Sequence, residues 1–271
     1  MRALPLLICW CWLVAAPASA DEALFDLIDK RLGLMRDVAL HKWHNDLPIE
    51  DLSREAVVIR AARRRAVVAG IDGVTAARFF TSQIEAAKTI QHHWFGQWDH
   101  AAPTDKSPDL VTELRPELLV FGDAIAARLD AIPDSPRQRT AFTAALTTVG
   151  LDRDSRNALF SALADIERYP STLARIDTTG ELRVGTTADY APFTYSEGGN
   201  ALTGVDIEQA RDLAAALGTT VRFVQTSWPT LMDDLQDGRF DIAMGGISRS
   251  VARARIAQFS VPYFTDGKTP I

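Results

Sequence analysis

The tract Lys42-Trp43-His44-Asn45-Asp46-Leu47-Pro48-Ile49-Glu50-Asp51-Leu52-Ser53-Arg54-Glu55 joins two helical patterns through a short turn, and its reading decides the fold of the first half of the chain. Upstream, Leu24, Ile28, Arg31, Met35, Val38 and Lys42 recur at steps of three and four, the spacing of one stripe along an amphipathic helix. Arg31 and Lys42 therefore sit on an otherwise apolar stripe, facing inward toward something negative. Lys42, Arg54 and Glu55 gather around the turn itself, and charged side chains of this kind, led by the two cations, serve to bind an anion rather than build a core. Taken singly, Arg31 or Lys42 is as readily explained by a long side chain that snorkels to the bundle rim and pairs with a carboxylate. The combination with Arg54, Glu55 and Gln91 calls for a shared task.

Compartment follows from the first twenty residues. Arg2, an apolar run from Leu4 to Val14 and the small residues Ala18-Ser19-Ala20 have the layout of a signal peptide cleaved after Ala20, which predicts a periplasmic protein. The apolar run is short for a membrane span of about 20 residues, so no membrane partner is expected after cleavage. Cys9 and Cys11 are the only cysteines, and both lie in the segment to be removed; the mature chain then has no thiol for a disulfide or a zinc site. The net charge of −6 argues against a nucleic-acid partner, whose footprint is basic.

From residue 21 to residue 169 the pattern is helical throughout. The spacing predicts helices over 22–45, 49–69 and 73–98, the second ended by Gly70. Ala77, Phe80, Ile84, Ala87, Gln91 and Trp94 form the stripe of the third, which puts the Gln91 amide on its buried face. Leu110, Leu114, Leu118, Phe121, Ile125 and Leu129 mark a fourth helix, with two more over 137–148 and 154–168. Arg60, Arg63, Arg64 and Arg65 are expected to form a solvated face. His92, His93 and His100 lack the helical spacing of metal ligands, so no metal site is expected.

Near Pro170 the texture changes. Strands at 182–186, 221–224 and 240–244 alternate with helices at 206–217 and 229–236, the signature of βαβ units and a parallel sheet. The expected organisation is a signal peptide over 1–20, an all-α bundle over 21–169, a linker over 170–180 and an α/β lobe over 181–271. That lobe is small for a doubly wound domain and reads as truncated.

The pattern Arg31, Lys42, Asp51, Arg54, Glu55 and Gln91, with Gln83-Ile84-Glu85-Ala86-Ala87-Lys88-Thr89-Ile90-Gln91, resembles the helical chorismate mutases of the secreted subclass. The resemblance implies a unimolecular rearrangement of chorismate to prephenate that needs no cofactor. By this resemblance Arg31 and Arg54 hold the substrate carboxylates, and Arg115 adds a contact from the fourth helix. Lys42 and Gln91 face the breaking ether oxygen, Glu55 accepts from the ring hydroxyl, and Asp51 orients its neighbours. Arg31 and Lys42, three helical turns apart, stand about 16 Å from each other at 1.5 Å per residue, within reach of one small dianion. Ala87 departs from relatives that carry a hydroxyl at that position.

Residues 181–271 resemble the first lobe of periplasmic solute-binding proteins of the amino-acid type. The motifs are Thr187-Ala188-Asp189-Tyr190-Ala191-Pro192-Phe193, Gly204-Val205-Asp206-Ile207-Glu208 and Gly245-Gly246-Ile247-Ser248 with Ser250 and Arg253. Arg253, Ser248 and Ser250 are expected to clamp a carboxylate, with Tyr190 and Trp228 as walls. Thr226-Ser227-Trp228-Pro229-Thr230-Leu231-Met232 and the closing Asp266-Gly267-Lys268-Thr269-Pro270-Ile271 bring the likeness nearer to cyclohexadienyl dehydratase, which consumes prephenate. A bundle that makes prephenate would then be fused to a lobe that uses it, in phenylalanine biosynthesis. The alternative is a mutase fused to a non-catalytic amino-acid-binding or sensing module. The implied partners are the small molecules chorismate and prephenate, and a homodimer stays open.

Overall fold

In the computed structural model, residues 20–130, 132–196 and 201–265 are described. The signal-peptide segment with Cys9 and Cys11, and the closing motif at 266–271, lie outside the described residues.

Seven helices build the first unit: α1 (Ala20–Gly33), α2 (Met35–His44), α3 (Leu52–Val68), α4 (Gly73–Trp98), α5 (Arg115–Arg128), α6 (Pro136–Ala145) and α7 (Arg153–Ala164), with a π-helical turn at Leu110–Leu114 leading into α5. The expected helix over 22–45 is thus broken in two at Leu34. Gly33 weakens the helix there, since glycine costs about 1 kcal/mol relative to alanine in a helix interior. The stripe nevertheless runs on across the break, with Leu24, Ile28, Arg31, Met35 and Val38 all buried.

Helix α4 is the spine, packing against α1, α2, α3 and α7. Its start is fixed by Asp72, whose carboxylate accepts from the backbone N–H of Val74 and Thr75 and so caps the first turn. Its far end is fixed by an aromatic cluster. Trp43 of α2 meets Phe95 and Trp98 edge-on, with ring centroids 5.1 and 5.8 Å away. That packing locks the last turn of α2, and with it Lys42, against α4.

The second unit begins earlier than expected. Residues 170–180 are no linker: they hold helix α8 (Thr172–Thr179), capped by Ser171 and ended by Gly180 in the left-handed conformation. Its Ile176 packs with Leu182, Val184, Ala210 and Ala214 in a separate core. Strand β1 (Glu181–Thr186) is followed by a small antiparallel sheet, β2 (Asp189–Tyr190), β3 (Thr194–Ser196) and β4 (Leu202–Thr203), which the sequence pattern did not reveal. Then come α9 (Val205–Ala216), β5 (Thr220–Gln225), α10 (Leu231–Gln236), β6 (Ile242–Ala243) and the short α11 (Val251–Ala254). The main sheet is parallel, in the order β5-β1-β6.

The arginines of α3 are not simply a solvated face: Arg60 stays about half exposed, yet it and Arg64 reach the second unit. Arg64 donates to Asp237 through Nε and to Asp233 through Nη2, both at 2.7 Å, and Arg60 lies 3.6 Å from Asp237. Deeper in the contact, Arg183 of β1 reaches Asp72 at 3.0 Å and Asp241 at 2.9 Å, while Arg175 holds the other oxygen of Asp241 at 2.6 Å. The two units are therefore joined through the cap of α4 and the outer face of α3.

Candidate active site

Five elements converge on one cavity of about 460 Å³ in the bundle. Arg31 comes from the last turn of α1, Lys42 from α2, Asp51, Arg54 and Glu55 from the start of α3, Gln91 from α4 and Arg115 from the start of α5. All seven side chains expected from the sequence line this one space, together with Lys88.

The turn that carries the quoted tract is tied internally. Asp51 caps α3 by accepting from Arg54 N at 3.0 Å, and Glu55 reaches back to Asp51 N at 3.3 Å. Lys42 Nζ donates to the Ile49 carbonyl at 2.5 Å, so the ammonium spans the turn between α2 and α3. Burial pushes the Lys42 pKa below its ordinary value; Asp51 and Glu55 counter this in part, and Arg115 adds to it. Burial also lowers the pKa of Arg31 to about 10. Its Nη1 donates to Gln83 Oε1 at 3.1 Å, which aims the guanidinium along the cavity wall. Among the described residues, the guanidinium groups of Arg54 and Arg115 make no hydrogen bond or ion pair, and so remain ready for an anion.

Five cations, Arg31, Lys42, Arg54, Lys88 and Arg115, line the cavity against three carboxylates, Glu50, Asp51 and Glu55, an excess of two positive charges. Two lining residues carry buried polar atoms left without a protein partner, Arg31 Nε and Gln91 Oε1, and a third, Nε2, belongs to Gln83, which accepts from Arg31. Such orphans mark a place where water or a ligand completes the hydrogen bonding. Gln91 Nε2 donates to Ala87 O at 3.1 Å, and its other contact is only the Met35 thioether at 3.9 Å. One amide hydrogen is thus free to turn toward a better acceptor at small cost.

Gln83 and Lys88 were missed as site residues. Both lie in the quoted α4 segment; Lys88 stands one turn before Gln91 and on the same face, a spacing that could have found it. No group of three or more His, Cys, Asp or Glu able to hold a metal occurs among the described residues.

A second cavity, of about 420 Å³, opens in the α/β unit and is lined by Tyr190, Phe193, Gly246, Ser248 and Tyr263, among others. Of the expected residues, Tyr190 and Ser248 face it, whereas Trp228, Ser250 and Arg253 do not line it. Arg253 Nη1 donates to the Ser248 carbonyl and hydroxyl at 3.0 and 3.1 Å, and its guanidinium lies 5.8 Å from the Trp228 ring. Trp228 stands edge-on to Tyr190 at 5.8 Å. The Ser250 hydroxyl is taken up as the cap of α11, accepting from Arg253 N. Beneath the cavity, the fully buried Asp206 accepts from Gly246 N at 2.6 Å and from the Tyr263 hydroxyl at 2.7 Å. Burial, reinforced by that carboxylate, pushes the Tyr263 pKa upward.

Fold and site together define a helical bundle with a cation-lined cavity, joined to an α/β lobe built on a parallel sheet. The comparisons agree with that class. Residues 16–92 match chorismate mutase type II, and residues 182–271 match the bacterial extracellular solute-binding proteins, family 3. A monofunctional chorismate mutase of Enterobacter agglomerans is 30% identical over 153 residues, covering 54% of this chain and 83% of the relative. The solved secreted chorismate mutase of Yersinia pestis superposes with a TM-score of 0.50 at 26% identity, over 54% of this chain and 97% of that one. The chain belongs to the chorismate mutase family, with a solute-binding-protein-like region fused behind the mutase bundle. In that region a cyclohexadienyl dehydratase of Pseudomonas aeruginosa is 53% identical over 112 residues, 41% of each chain. The chain thus spans about two fifths of the length of that relative.

Proposed function

We propose that the bundle over 21–169 converts chorismate to prephenate and that the region from residue 181 belongs to a cyclohexadienyl dehydratase acting on the product. The excess of two cations around one cavity of about 460 Å³ carries the mutase reading. Chorismate is a dicarboxylate, and bidentate guanidinium groups suit carboxylates better than any other side chain. Arg54 and Arg115, whose guanidinium groups have no protein partner among the described residues, take up the carboxylates together with Arg31. Held this way, the flexible enolpyruvyl arm is confined near its chair geometry, and the entropy of reaching that geometry is met on binding. As the ether bond breaks, its oxygen gains negative charge; Lys42 and the free hydrogen of Gln91 donate to it. Glu55 accepts from the ring hydroxyl. No bond to the protein forms and no proton changes hands.

In the α/β lobe, Ser248 and Tyr190 meet the ligand in the cavity, and Arg253, held by Ser248 outside the lining, contributes its charge toward a ligand carboxylate. The identity to the dehydratase supports an enzyme rather than a transport module in this region. Export to the periplasm, with cleavage after Ala20, belongs to the same reading; relatives described as secreted and extracellular support it.

The test is chorismate consumption by the purified chain, followed spectrophotometrically, with product analysis. Turnover is expected to yield prephenate, and Arg54→Ala is expected to lower kcat/KM by at least about a hundredfold, as loss of a charge-assisted contact on a reacting anion does. An unchanged chorismate spectrum overturns the mutase reading. Phenylpyruvate formation by the longest form of the gene product tests the dehydratase; tight prephenate binding without it would favour a binding module.

A further inference from the structure

Lys88 has no place in the mechanism above, yet its position is specific. It stands on α4 one turn before Gln91, lines the mutase cavity and keeps only 13% of its side chain exposed. Its ammonium bridges two helices. On its own helix it meets the exposed Glu85 at 2.7 Å, and across the cavity wall it reaches Glu55 Oε2 at 3.4 Å. The other oxygen of that carboxylate, Oε1, accepts from Asp51 N at 3.3 Å. Glu55 is therefore pinned at both oxygens, by the start of α3 on one side and by Lys88 on the other.

That arrangement answers a difficulty in the pocket. Glu55 lies close enough to Lys42 to act on its charge. A mobile carboxylate there would swing to Lys42 and cancel the cation that faces the ether oxygen, since opposite charges about 4 Å apart in a partly buried site attract by several kcal/mol. Lys88 is a competing cation on the opposite side. The carboxylates of Glu85 and Glu55 raise its pKa above the ordinary lysine value, so it stays charged throughout the neutral range.

We propose that Lys88 is a positioning residue of the mutase site: it holds the Glu55 carboxylate at the cavity wall, oriented to accept the substrate hydroxyl and kept away from Lys42. The inference rests on the chorismate reading and extends it to a residue that touches Glu55 rather than substrate.

A double-mutant cycle tests it. Lys88→Met keeps the aliphatic stem and removes the charge; Lys88→Arg keeps the charge. Lys88→Met is expected to lower kcat/KM about tenfold, and Lys88→Arg to stay within about threefold of wild type. In a Glu55→Gln background, Lys88→Met should cost less than about twofold, because groups that act as a unit are not additive. Affinity for prephenate should show the same non-additivity, which gives a readout even where turnover is slow. A full tenfold loss in the Glu55→Gln background, or no loss in the wild-type background with normal thermal unfolding, overturns the inference. Failure of the wild-type protein to turn over chorismate is a separate result, which removes the mutase reading itself and this role with it.

Discussion

Gln83 Oε1 accepts a hydrogen bond from Arg31 Nη1 at 3.1 Å, linking α4 to the end of α1 through two buried side chains. The bond decides where the Arg31 guanidinium points. Arg31 Nε and Gln83 Nε2 have no protein partner, so this one contact carries the orientation.

Gln83→Leu keeps the bulk and removes the acceptor. A hydrogen bond to a charged group contributes about 1.5–3 kcal/mol, and each 1.4 kcal/mol is about a factor of ten, so kcat/KM for chorismate is expected to fall tenfold or more. Global stability should drop by about 1–3 kcal/mol, the cost of a buried guanidinium without its acceptor. Steady-state kinetics and urea unfolding check both.

The alkaline limb of the mutase should reflect Lys42. Its folded pKa lies below the ordinary value of 10.5, chiefly through burial, so activity should decline before pH 10.5 as the ammonium is lost. The linkage to stability has the opposite sign: the unfolded chain holds this proton more firmly, so the Lys42 contribution to stability rises with pH through the same window. Lys42→Met should lower kcat by about 10²–10³, as loss of a donor to a developing oxyanion does, and leave only the alkaline limb set by Arg31, whose pKa burial lowers to about 10. A kcat profile extended to about pH 11, with thermal unfolding followed over the same range, separates the two effects.

At the junction of the units, burial separates strong contacts from weak ones. Arg183→Leu leaves Asp72 and the buried side chain of Asp241 short of a partner and should cost about 3–5 kcal/mol. Arg64→Ala removes a half-exposed pair with Asp233 and one bond to the buried Asp237, which keeps Arg60 at 3.6 Å, and should cost about 1–2 kcal/mol. High salt should weaken the second contact and spare the first. Calorimetry is expected to show one transition for the wild-type protein and two for the Arg183→Leu variant.

In the α/β lobe, the two serines near Arg253 should behave differently. Ser250→Ala removes the cap of α11 and should cost about 1 kcal/mol of local stability with little effect on ligand affinity. Ser248→Ala removes one of two acceptors that hold the Arg253 guanidinium, and should weaken carboxylate binding by about tenfold. Titration calorimetry with prephenate distinguishes them.

The bundle was legible because its signals are local and repeated. Stripes at steps of three and four survive even the break at Leu34, and the α4 boundaries, Gly73 and Trp98, follow from Asp72-Gly73 and the end of the stripe. The mutase cavity was legible because its polar residues interrupt those stripes. Gln83 and Lys88 were harder, as their roles depend on partners 52 and 33 residues away. The junction was misread for the same reason: nothing near Arg64 in sequence announces Asp233 and Asp237, which come 169 and 173 residues later. Helix α8 is short, and its Ser171 and Gly180 signals were lost in a stretch expected to be a connection.

Asp72 serves both units at once. One carboxylate oxygen, Oδ1, closes the first turn of the helix that carries Gln83, Lys88 and Gln91, and the other, Oδ2, receives Arg183 from the first strand of the α/β lobe. Grafting this bundle onto an unrelated partner would therefore strip a counter-charge from the base of its own catalytic helix. The fusion has become part of the architecture of each half, and domain shuffling at this joint would demand a matching arginine from any replacement.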